Sequence, residues 1–263
     1  MEIFFASLAM VFMAIFVIVF IIYYQRRQIQ QQINDRKRET QFQQQLLEVA
    51  LQSTEAERRR IAQDLHDEIG ASLSVIKLGM GSLANQLTDT QQRVALTDLR
   101  GAMEEAISNV RRISRDLVPI TLERFGLSAA LQEFAARSNH TAALHITYTH
   151  EGQVSLRYSA RVELMLYRIA QELVNNAVKH AGAKNIHINF TTLPSNALLE
   201  VNDDGRGFVL GEVTSHANRG LGLQGIEARI RVINATVSYN TARGAGCKAT
   251  IDVKMDTLPT TIP

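Results

Sequence analysis

An uncharged apolar run near the N-terminus constrains this chain more than any other feature. From Ile3 to Tyr24 the sequence carries no charge, and Ser7 is its only clearly polar residue. A helix of roughly 20 apolar residues crosses the hydrocarbon of a bilayer, which is about 30 Å thick. The acidic Glu2 precedes the run and two arginines follow it, which is not the pattern of a signal peptide. We therefore predict a transmembrane anchor over residues 1–24.

Basic residues lie on the C-terminal side of this run, at Arg26, Arg27 and residues 36–38. The positive-inside rule then places residues 25–263 in the cytoplasm, with a residue or two outside. We expect a single-pass protein of the cytoplasmic membrane that has no extracellular ligand-binding domain. A signal would arrive through the membrane segment, from the cytoplasm, or from an unidentified membrane sensing partner.

Charge and cysteine content exclude several classes of protein. Lys and Arg number 28 against 26 Asp and Glu, for a net charge of +2. This balance excludes a disordered acidic chain and an electrostatically dominated nucleic-acid binder, so we expect no direct nucleic-acid partner. The single cysteine, Cys247, excludes an internal disulfide and a cysteine-cluster zinc site, and it favours a reducing compartment.

The first part of the chain has a helical pattern. All four prolines lie at or after position 119, and proline is a strong helix breaker. Residues 25–54 are rich in Gln, Arg and Glu, with apolar residues such as Ile29 and Ile33 at spacings that mostly fit a helix seam, which predicts a two-stranded helical linker. A solvated single helix is the alternative for this segment.

Two amphipathic runs predict a helical hairpin over residues 55–122. In the first run Leu65, Ile69, Ser72 and Ile76 fall within about 40° of one another on a helical wheel, which predicts one buried stripe. The second run ends before Pro119. Because a lone hairpin buries little apolar surface, we expect two copies to form a four-helix bundle and the protein to be a homodimer.

His66 lies at the edge of the first stripe, about 100° from Leu65. Gly70 follows one turn later, and a helix glycine costs about 1 kcal/mol relative to alanine, so we interpret it as clearing space beside the imidazole. Asp67 and Glu68 place a carboxylate where it can orient the ring or accept its proton. An ordinary surface histidine is the alternative interpretation.

Residues 123–255 predict an α+β sandwich, a mixed sheet with helices on one face. Residues 256–263 are expected to form a disordered tail. The predicted helices are Leu127–Arg137, Ser159–Ala181 and Gly222–Ile233, and the predicted strands are His145–Thr149, Ile186–Thr191, Leu198–Asp203, Thr236–Tyr239 and Lys248–Val253.

Three polar residues approach the apolar face of the predicted long helix. Glu172, Asn176 and His180 project within about 60° of Ile169. Burying such groups without partners costs several kcal/mol, so the pattern suggests a ligand such as a hydrated metal ion. An internal hydrogen-bond network without a ligand is the alternative.

Two glycine-containing segments are typical of phosphate sites. Asp203–Phe208 follows a strand, and Arg219–Ile226 opens a helix whose free N–H groups favour anions. The polar segment between them, residues 209–218, is expected to form a mobile lid over a nucleotide. A plain surface loop is the alternative.

In this order the segments resemble the bacterial sensor histidine kinases, of the branch with a HisKA_3-type dimerisation domain. The resemblance covers roughly residues 50–255. Its four boxes are the histidine box Glu57–Gly70, the N box Gln171–His180, and the glycine boxes Asp203–Phe208 and Gly220–Ile226.

The resemblance implies a Bergerat-type ATP-binding domain that uses ATP and Mg²⁺. Asn176 would coordinate Mg²⁺, Glu172 would support the metal or its water, and Asp203 would accept the adenine amino group. The remaining residues would approach the phosphates or shape the pocket: Lys179, His180, Gly205, Gly207, Gly220 and Gly222.

The resemblance further implies that His66 is phosphorylated by ATP, with Asp67 taking or orienting the proton of the ring. The phosphoryl group would pass to an aspartate of a response regulator, of the NarL/LuxR type with a helix-turn-helix output domain. One alternative is a chaperone- or topoisomerase-like ATPase in which Glu172 activates water. Another is a non-catalytic dimeric scaffold.

The chain departs from the family pattern at two positions. Ala71 occupies the place where strong phosphatases of this family have Gln, so we predict weak phosphatase activity. Cys247 occupies the place of the usual Thr near the adenine, which puts a hydrogen bond there in question.

Overall fold

The structure is a computed structural model that describes residues 2–84, 89–139, 144–153, 156–193, 195–209, 221–254 and 260–261. The chain divides into two compact units, residues 1–50 and 51–263. Helix α1 runs from Glu2 to Asp64. In the part of the chain that the structure describes, no helix is sufficiently long and apolar to cross a membrane. Most side chains of the predicted anchor lie outside the described residues.

The first unit is helical. Every described side chain from residue 20 to residue 46 is exposed. The exposed set includes Ile29 and Ile33, which were expected to form the seam of a two-stranded linker. This seam is therefore uncovered within one copy of the chain.

The second unit contains a helical hairpin. Its first helix comprises the end of α1 from Glu55, a π-helical turn, Leu65–Ile69, and α2, Gly70–Ala84, and its second helix is α3, Thr90–Leu117. The Asp89 carboxylate accepts a hydrogen bond from the Gln91 amide and so caps α3. Helix α3 ends just before Val118 and Pro119, as the proline predicted.

The apolar stripe predicted for the first helix is largely exposed within one copy of the chain. Ile69 and Ile76 are 44% and 48% exposed, and Leu65 is half-buried. On the facing helix, Leu99 is 60% exposed. The physical reason is that two helices form only one layer, so one side of each helix lacks a second layer to cover it.

An α+β sandwich forms the rest of the second unit. Its helices are α4, Ile120–Ser138, α5, Ala160–Asn176, and α6, Leu221–Val232, and α5 continues into a second π-helical turn at Ala177–Ala181. The strands are β1 His145–Gly152, β2 Leu156–Arg157, β3 Asn185–Thr192, β4 Asn196–Asp203, β5 Ala235–Thr241, β6 Cys247–Lys254 and β7 Thr260–Thr261.

The main sheet is mixed, as predicted. Its strand order is β1-β3-β4-β6-β5, with β1 parallel to β3 and the other pairs antiparallel. Along β3 the side chains of Ile186, Ile188 and Phe190 are buried and alternate with more exposed polar residues. This buried face packs with Leu166 and Ile169 of α5 in one hydrophobic core.

The β2–β7 pair was not predicted. Thr260 and Thr261 pair antiparallel with Leu156 and Arg157, so the expected disordered tail is wrong at these two residues. Threonine is β-branched and suits an extended strand, which explains how two residues pair outside the main sheet. The rest of residues 256–263 lies outside the described residues.

One buried arginine joins the hairpin to the sandwich. The side chain of Arg168 in α5 is only 2% exposed. Its guanidinium donates to both carboxylate oxygens of Glu55 and to the backbone oxygens of Asp116 and Leu117 at the end of α3. Helix α5 is thereby connected to both helices of the hairpin.

Candidate active site

A cavity of about 560 Å³ lies where the end of α5 meets the start of α6. It brings together residues of the N box, both glycine boxes and strands β5 and β6. The predicted binding residues that line it are Glu172, Asn176, Lys179, His180, Asp203, Gly207 and Gly222. Gly220 lies outside the described residues, and Gly205 does not line the cavity.

The N box reaches the cavity through the end of a helix. Glu172 and Asn176 are half-buried, whereas Lys179 and His180 are exposed. The expectation that His180 intrudes on the buried face is therefore wrong. Helix α5 changes to a π-helical turn after Asn176, and this turn ends at Gly182, which has a left-handed conformation with φ of 63°. Lys179 and His180, near the end of this turn, thus line the cavity at its exposed edge.

Gly222 allows α6 to approach the N box closely. A Cβ atom at this position would lie 2.3 Å from Oε1 of Glu172 and 3.3 Å from Oδ1 of Asn176. A Cβ atom at the first distance would force the end of the Glu172 side chain to move. The glycine therefore brings the first turn of α6 against two oxygen-bearing side chains, a close approach that the sequence alone did not reveal.

Asp203 ends strand β4 inside the cavity. Its Oδ1 accepts a hydrogen bond of 2.9 Å from the Gly205 amide. Burial raises the pKa of Asp203 above its usual 3.8, and the neighbouring Asp204 raises it further. A half-buried carboxylate with spare acceptor capacity suits recognition of an N–H group on a ligand.

Asp204 has a different role, which sequence reasoning missed. Its carboxylate accepts hydrogen bonds from the backbone amides of Lys184 and Asn185 and from the Asn185 side chain. These hydrogen bonds, those of Asn185 foremost, lower its pKa. Asp204 therefore fixes the loop before β3 rather than contacting the cavity.

Glycines allow the first glycine box to pack closely against the loop between β5 and β6 and against Ala181. A Cβ at Gly207, where φ is 59°, would lie 2.0 Å from the Ala242 oxygen. One at Gly205 would lie 2.5 Å from the Ala181 Cβ. Gly246, with φ of 70°, lies equally close to the Asp203 backbone. The packing requires glycine at all three positions.

Cys247 lines the cavity opposite Asp203 in the sheet register. Burial raises the pKa of its thiol to about 11, and Asp203 adds to this effect. The side chain is therefore a neutral thiol at physiological pH, with a weak hydrogen-bonding capacity. Tyr239 and Leu223 also line the cavity but were not among the predicted site residues. Tyr239 belongs to no motif, and Leu223 is an apolar residue of the second glycine box, where only the glycines were singled out.

His66 lies in the first π-helical turn, and its side chain is exposed. It lines a second cavity, of about 340 Å³, together with Asp67, Ala71 and residues of α3 such as Val110 and Arg111. Among the described residues, no hydrogen bond joins Asp67 to the imidazole. The two cavities have no described lining residue in common.

The interpretation of Gly70 is wrong within one chain. A Cβ at this position would meet only the Leu65 backbone oxygen, at 3.7 Å, which is an ordinary contact. The space beside His66 is therefore not created by the missing side chain. His66 is exposed because, in the part of the chain that the structure describes, no second layer covers this side of the hairpin.

The donors at the cavity fit Mg²⁺ held together with a nucleotide. Within the described ranges, no cluster of three or more His, Cys, Asp or Glu side chains is present that would hold a metal ion alone. Glu172 and Asn176 offer adjacent oxygens beside Gly222. Mg²⁺ is commonly bound by one or two protein oxygens, substrate phosphates and water, and this pair meets that requirement.

Comparisons with known proteins match both parts of the second unit. Residues 57–122 match a family model described as histidine kinase. Residues 161–257 match the model for histidine kinase-, DNA gyrase B-, and HSP90-like ATPases. The fold and site thus define a nucleotide-binding ATPase domain linked to a histidine-bearing helical hairpin. The chain belongs to the sensor histidine kinases, in the branch that has a HisKA_3-type hairpin.

Two curated relatives are sensor histidine kinases. The oxygen sensor histidine kinase NreB of Staphylococcus carnosus is 28% identical over 223 residues, which cover 83% of this chain and 62% of NreB. The sensor histidine kinase ComP of Bacillus subtilis is 30% identical over 207 residues, or 76% of this chain and 27% of ComP. The chain therefore spans less than two thirds of either relative.

Among solved structures, the histidine kinase domain of the blue-light activated histidine kinase EL346 from Erythrobacter litoralis is similar with a TM-score of 0.44 and 14% identity. The alignment covers 70% of this chain and 94% of that domain.

Proposed function

We propose that this protein is a sensor histidine kinase that phosphorylates His66 with Mg-ATP. The observation that carries this proposal is the cavity at the end of α5, where residues of three motifs separated in sequence meet. Asp203 would accept the adenine amino group, and Lys179 and His180 would approach the phosphates. Gly205 and Gly207 would shape the pocket, and Gly220 and Gly222 would line the phosphate end.

In the reaction, a ring nitrogen of His66 attacks the γ-phosphorus of ATP. A nitrogen–phosphorus bond forms, the bond from the γ-phosphorus to the bridging oxygen breaks, and ADP leaves. Asp67 takes or orients the proton on the other ring nitrogen, which keeps the attacking nitrogen unprotonated. Asn176 and Glu172 would hold Mg²⁺, which when bound offsets charge on the phosphates.

The separate positions of His66 and the nucleotide cavity have a consequence for this reaction. Direct transfer requires the nucleotide to reach His66, so the ATP-binding domain would have to move relative to a hairpin, either its own or that of a second copy. The ion pair between Arg168 and Glu55 would then be one of the contacts that change.

A homodimer is supported by the uncovered faces of the hairpin. Ile69, Ile76 and Leu99 are exposed, and a second hairpin would bury them in a four-helix bundle. Sedimentation of the detergent-solubilised protein would show a dimer. A monomer at micromolar concentration would contradict this part of the proposal.

The phosphoryl group would pass from His66 to an aspartate of a response regulator, of the NarL/LuxR type. Ala71 lines the His66 cavity and has no group that can position a hydrolytic water, so dephosphorylation of the regulator would be slow. Adding this protein with ADP to a purified phosphorylated regulator tests the point. Rapid loss of phosphate that depends on the protein would contradict it.

Membrane attachment is supported by the uncharged segment from Ile3 to Tyr24. We propose a single-pass protein of the bacterial inner membrane, with residues 25–54 as the linker, 55–122 as the phosphoacceptor domain and 123–255 as the ATP-binding domain. Resistance to extraction by alkaline carbonate would support the anchor. Release of the protein into the supernatant would contradict it.

The central test is incubation with γ-labelled ATP and Mg²⁺. We expect label on the protein that is acid-labile and alkali-stable, and that is absent from His66→Gln and Asn176→Ala. ATP turnover without protein-bound label would instead favour the plain ATPase. Absence of both nucleotide binding and label would favour the non-catalytic scaffold.

A further inference from the structure

A third cavity, of about 480 Å³, lies between the hairpin and the sandwich, and we call it the arginine cavity. Besides apolar groups, it is lined by two acids, Asp116 and Glu172, and by a larger number of arginines. These are Arg58, Arg112, Arg137, Arg168 and Arg229. Such an excess of guanidinium groups requires compensation by ion pairs, by solvent or by an anion.

Three of these arginines are already compensated. Arg112 lies 3.9 Å from the Asp116 carboxylate. Arg168 uses all its N–H groups on Glu55, on two backbone oxygens of α3 and on Gln171. Both carboxylate oxygens of Glu55 accept hydrogen bonds from Arg168. Arg137 lies 3.4 Å from both Asp116 and Glu133.

Arg58 and Arg229 are not compensated in this way. Within the part of the chain that the structure describes, neither forms an ion pair. Arg229 donates from Nη1 to the Gly225 oxygen at 2.9 Å, and its Nε is buried without a hydrogen-bond partner among the described residues. Burial is the main reason why the pKa of Arg229 is lowered. Glu55 and Glu172 oppose this shift, and the nearby Arg58 and Arg168 add to it.

The arginine cavity adjoins the nucleotide cavity. Glu172 and Asn175 line both. The Arg229 side chain folds back along α6 toward Gly225, and hence toward the turn that contains Gly222. The phosphates of a nucleotide are expected in the neighbouring cavity. An anion beside Arg229 would therefore lie close to them, on the other side of the shared wall.

We propose that the arginine cavity is a binding site for a phosphate oxyanion, with Arg58 and Arg229 as its donors. Guanidinium groups bind phosphate through paired, charge-assisted hydrogen bonds, and they retain their charge when partly buried. Because Arg58 belongs to the hairpin helix that carries the histidine box and Arg229 belongs to α6, a bound phosphate would connect the two parts. The phosphate is either the terminal group of a nucleotide, which rests on the proposed function, or a free phosphate ion.

The test is calorimetric titration of the full-length protein, in detergent with Mg²⁺, with inorganic phosphate, ADP and ATP. The variants are Arg229→Gln and Arg58→Gln. The matched control is Arg231→Gln, on the same helix, whose side chain is 66% exposed and lies 3.7 Å from Glu227. Sodium chloride at equal ionic strength controls for general screening. Removing a hydrogen bond to a charged group weakens binding by roughly 10- to 100-fold.

If the terminal phosphate of the nucleotide is bound here, Arg229→Gln weakens ATP binding about tenfold or more while ADP binding stays within about twofold. If free phosphate is bound, the variant weakens phosphate binding by that factor and both nucleotides bind as before. Either result supports the site. Equal losses for ATP and ADP, or affinities unchanged for every anion, would overturn it.

The phosphate titration separates this proposal from the kinase proposal. The protein could bind phosphate in a manner that depends on Arg58 and Arg229 and yet not bind nucleotide. This result would support the phosphate site and contradict the kinase proposal. Folding does not obscure the result, because Arg229→Gln removes a poorly compensated cation. We expect its melting temperature without ligand to be no lower than that of the parent. Arg229→Lys, which keeps the charge but loses the paired geometry, should bind phosphate more weakly than the parent.

Discussion

The ion pair between Arg168 and Glu55 gives a prediction whose size follows from the structure. Glu55→Gln keeps the shape of the side chain but removes its charge from a guanidinium that is 2% exposed. Glu55 receives hydrogen bonds from Nε and Nη2 of Arg168 at 2.8 to 3.1 Å. Breaking a buried pair by removing one partner costs about 3–5 kcal/mol.

The lower end of that range applies here. Gln still offers one acceptor oxygen, Arg168 keeps its hydrogen bonds to Asp116, Leu117 and Gln171, and the Glu55 side chain is 15% exposed. We therefore expect Glu55→Gln to lower the free energy of unfolding by about 3 kcal/mol.

Urea unfolding of the full-length protein in detergent, followed by tyrosine fluorescence, measures this loss. Glu57→Gln is the matched control, because Glu57 lies on the same helix, is 53% exposed and pairs only locally with Arg60. Its expected effect is small, because an exposed ion pair within one helix contributes little to stability. Equal effects of the two substitutions would refute the conclusion that the Arg168 pair holds α5 to the hairpin.

Three further predictions concern the candidate site. Gly207→Ala should lower the melting temperature more than Gly244→Ala, because both glycines have positive φ but only Gly207 meets a backbone oxygen at 2.0 Å; differential scanning fluorimetry checks this, and equal shifts would contradict it. Gly222→Ala should weaken Mg-ATP binding at least about tenfold, since its Cβ would displace Glu172; unchanged affinity by calorimetry would contradict the close approach. ATP affinity should fall as the pH falls through the raised pKa of Asp203, because only its ionised carboxylate is a pure acceptor; Asp203→Asn should show no such dependence, and identical pH profiles would contradict the assignment.

Local patterns in the sequence predicted most of the sandwich. The alternation of apolar and polar residues in β3 and the helical spacing in α5 report directly on which side chains are buried. The glycine boxes were equally informative, since a glycine that must approach a backbone atom, as Gly207 does, has no substitute. These signals come from residues that are close together in the chain.

Features that depend on distant residues were not predictable in this way. Glu55 and Arg168 are 113 residues apart, and neither stands out from its neighbours. The π-helical turn at His66 has no sequence signature, so the wheel that placed Leu65 and Ile69 in one stripe assumed a regular α-helix. Burial of that stripe also depends on a second layer, which periodicity within one helix does not supply.

The most direct test of the account is to locate the phosphoryl group. The full-length protein would be incubated with Mg-ATP, digested at neutral pH and mapped by electron-transfer mass spectrometry. His145→Gln, at an exposed strand histidine, serves as the control for His66→Gln. The account predicts phosphate on His66 in the parent and in His145→Gln, and none in His66→Gln. Phosphate on another residue, or phosphorylation that persists in His66→Gln, would contradict it.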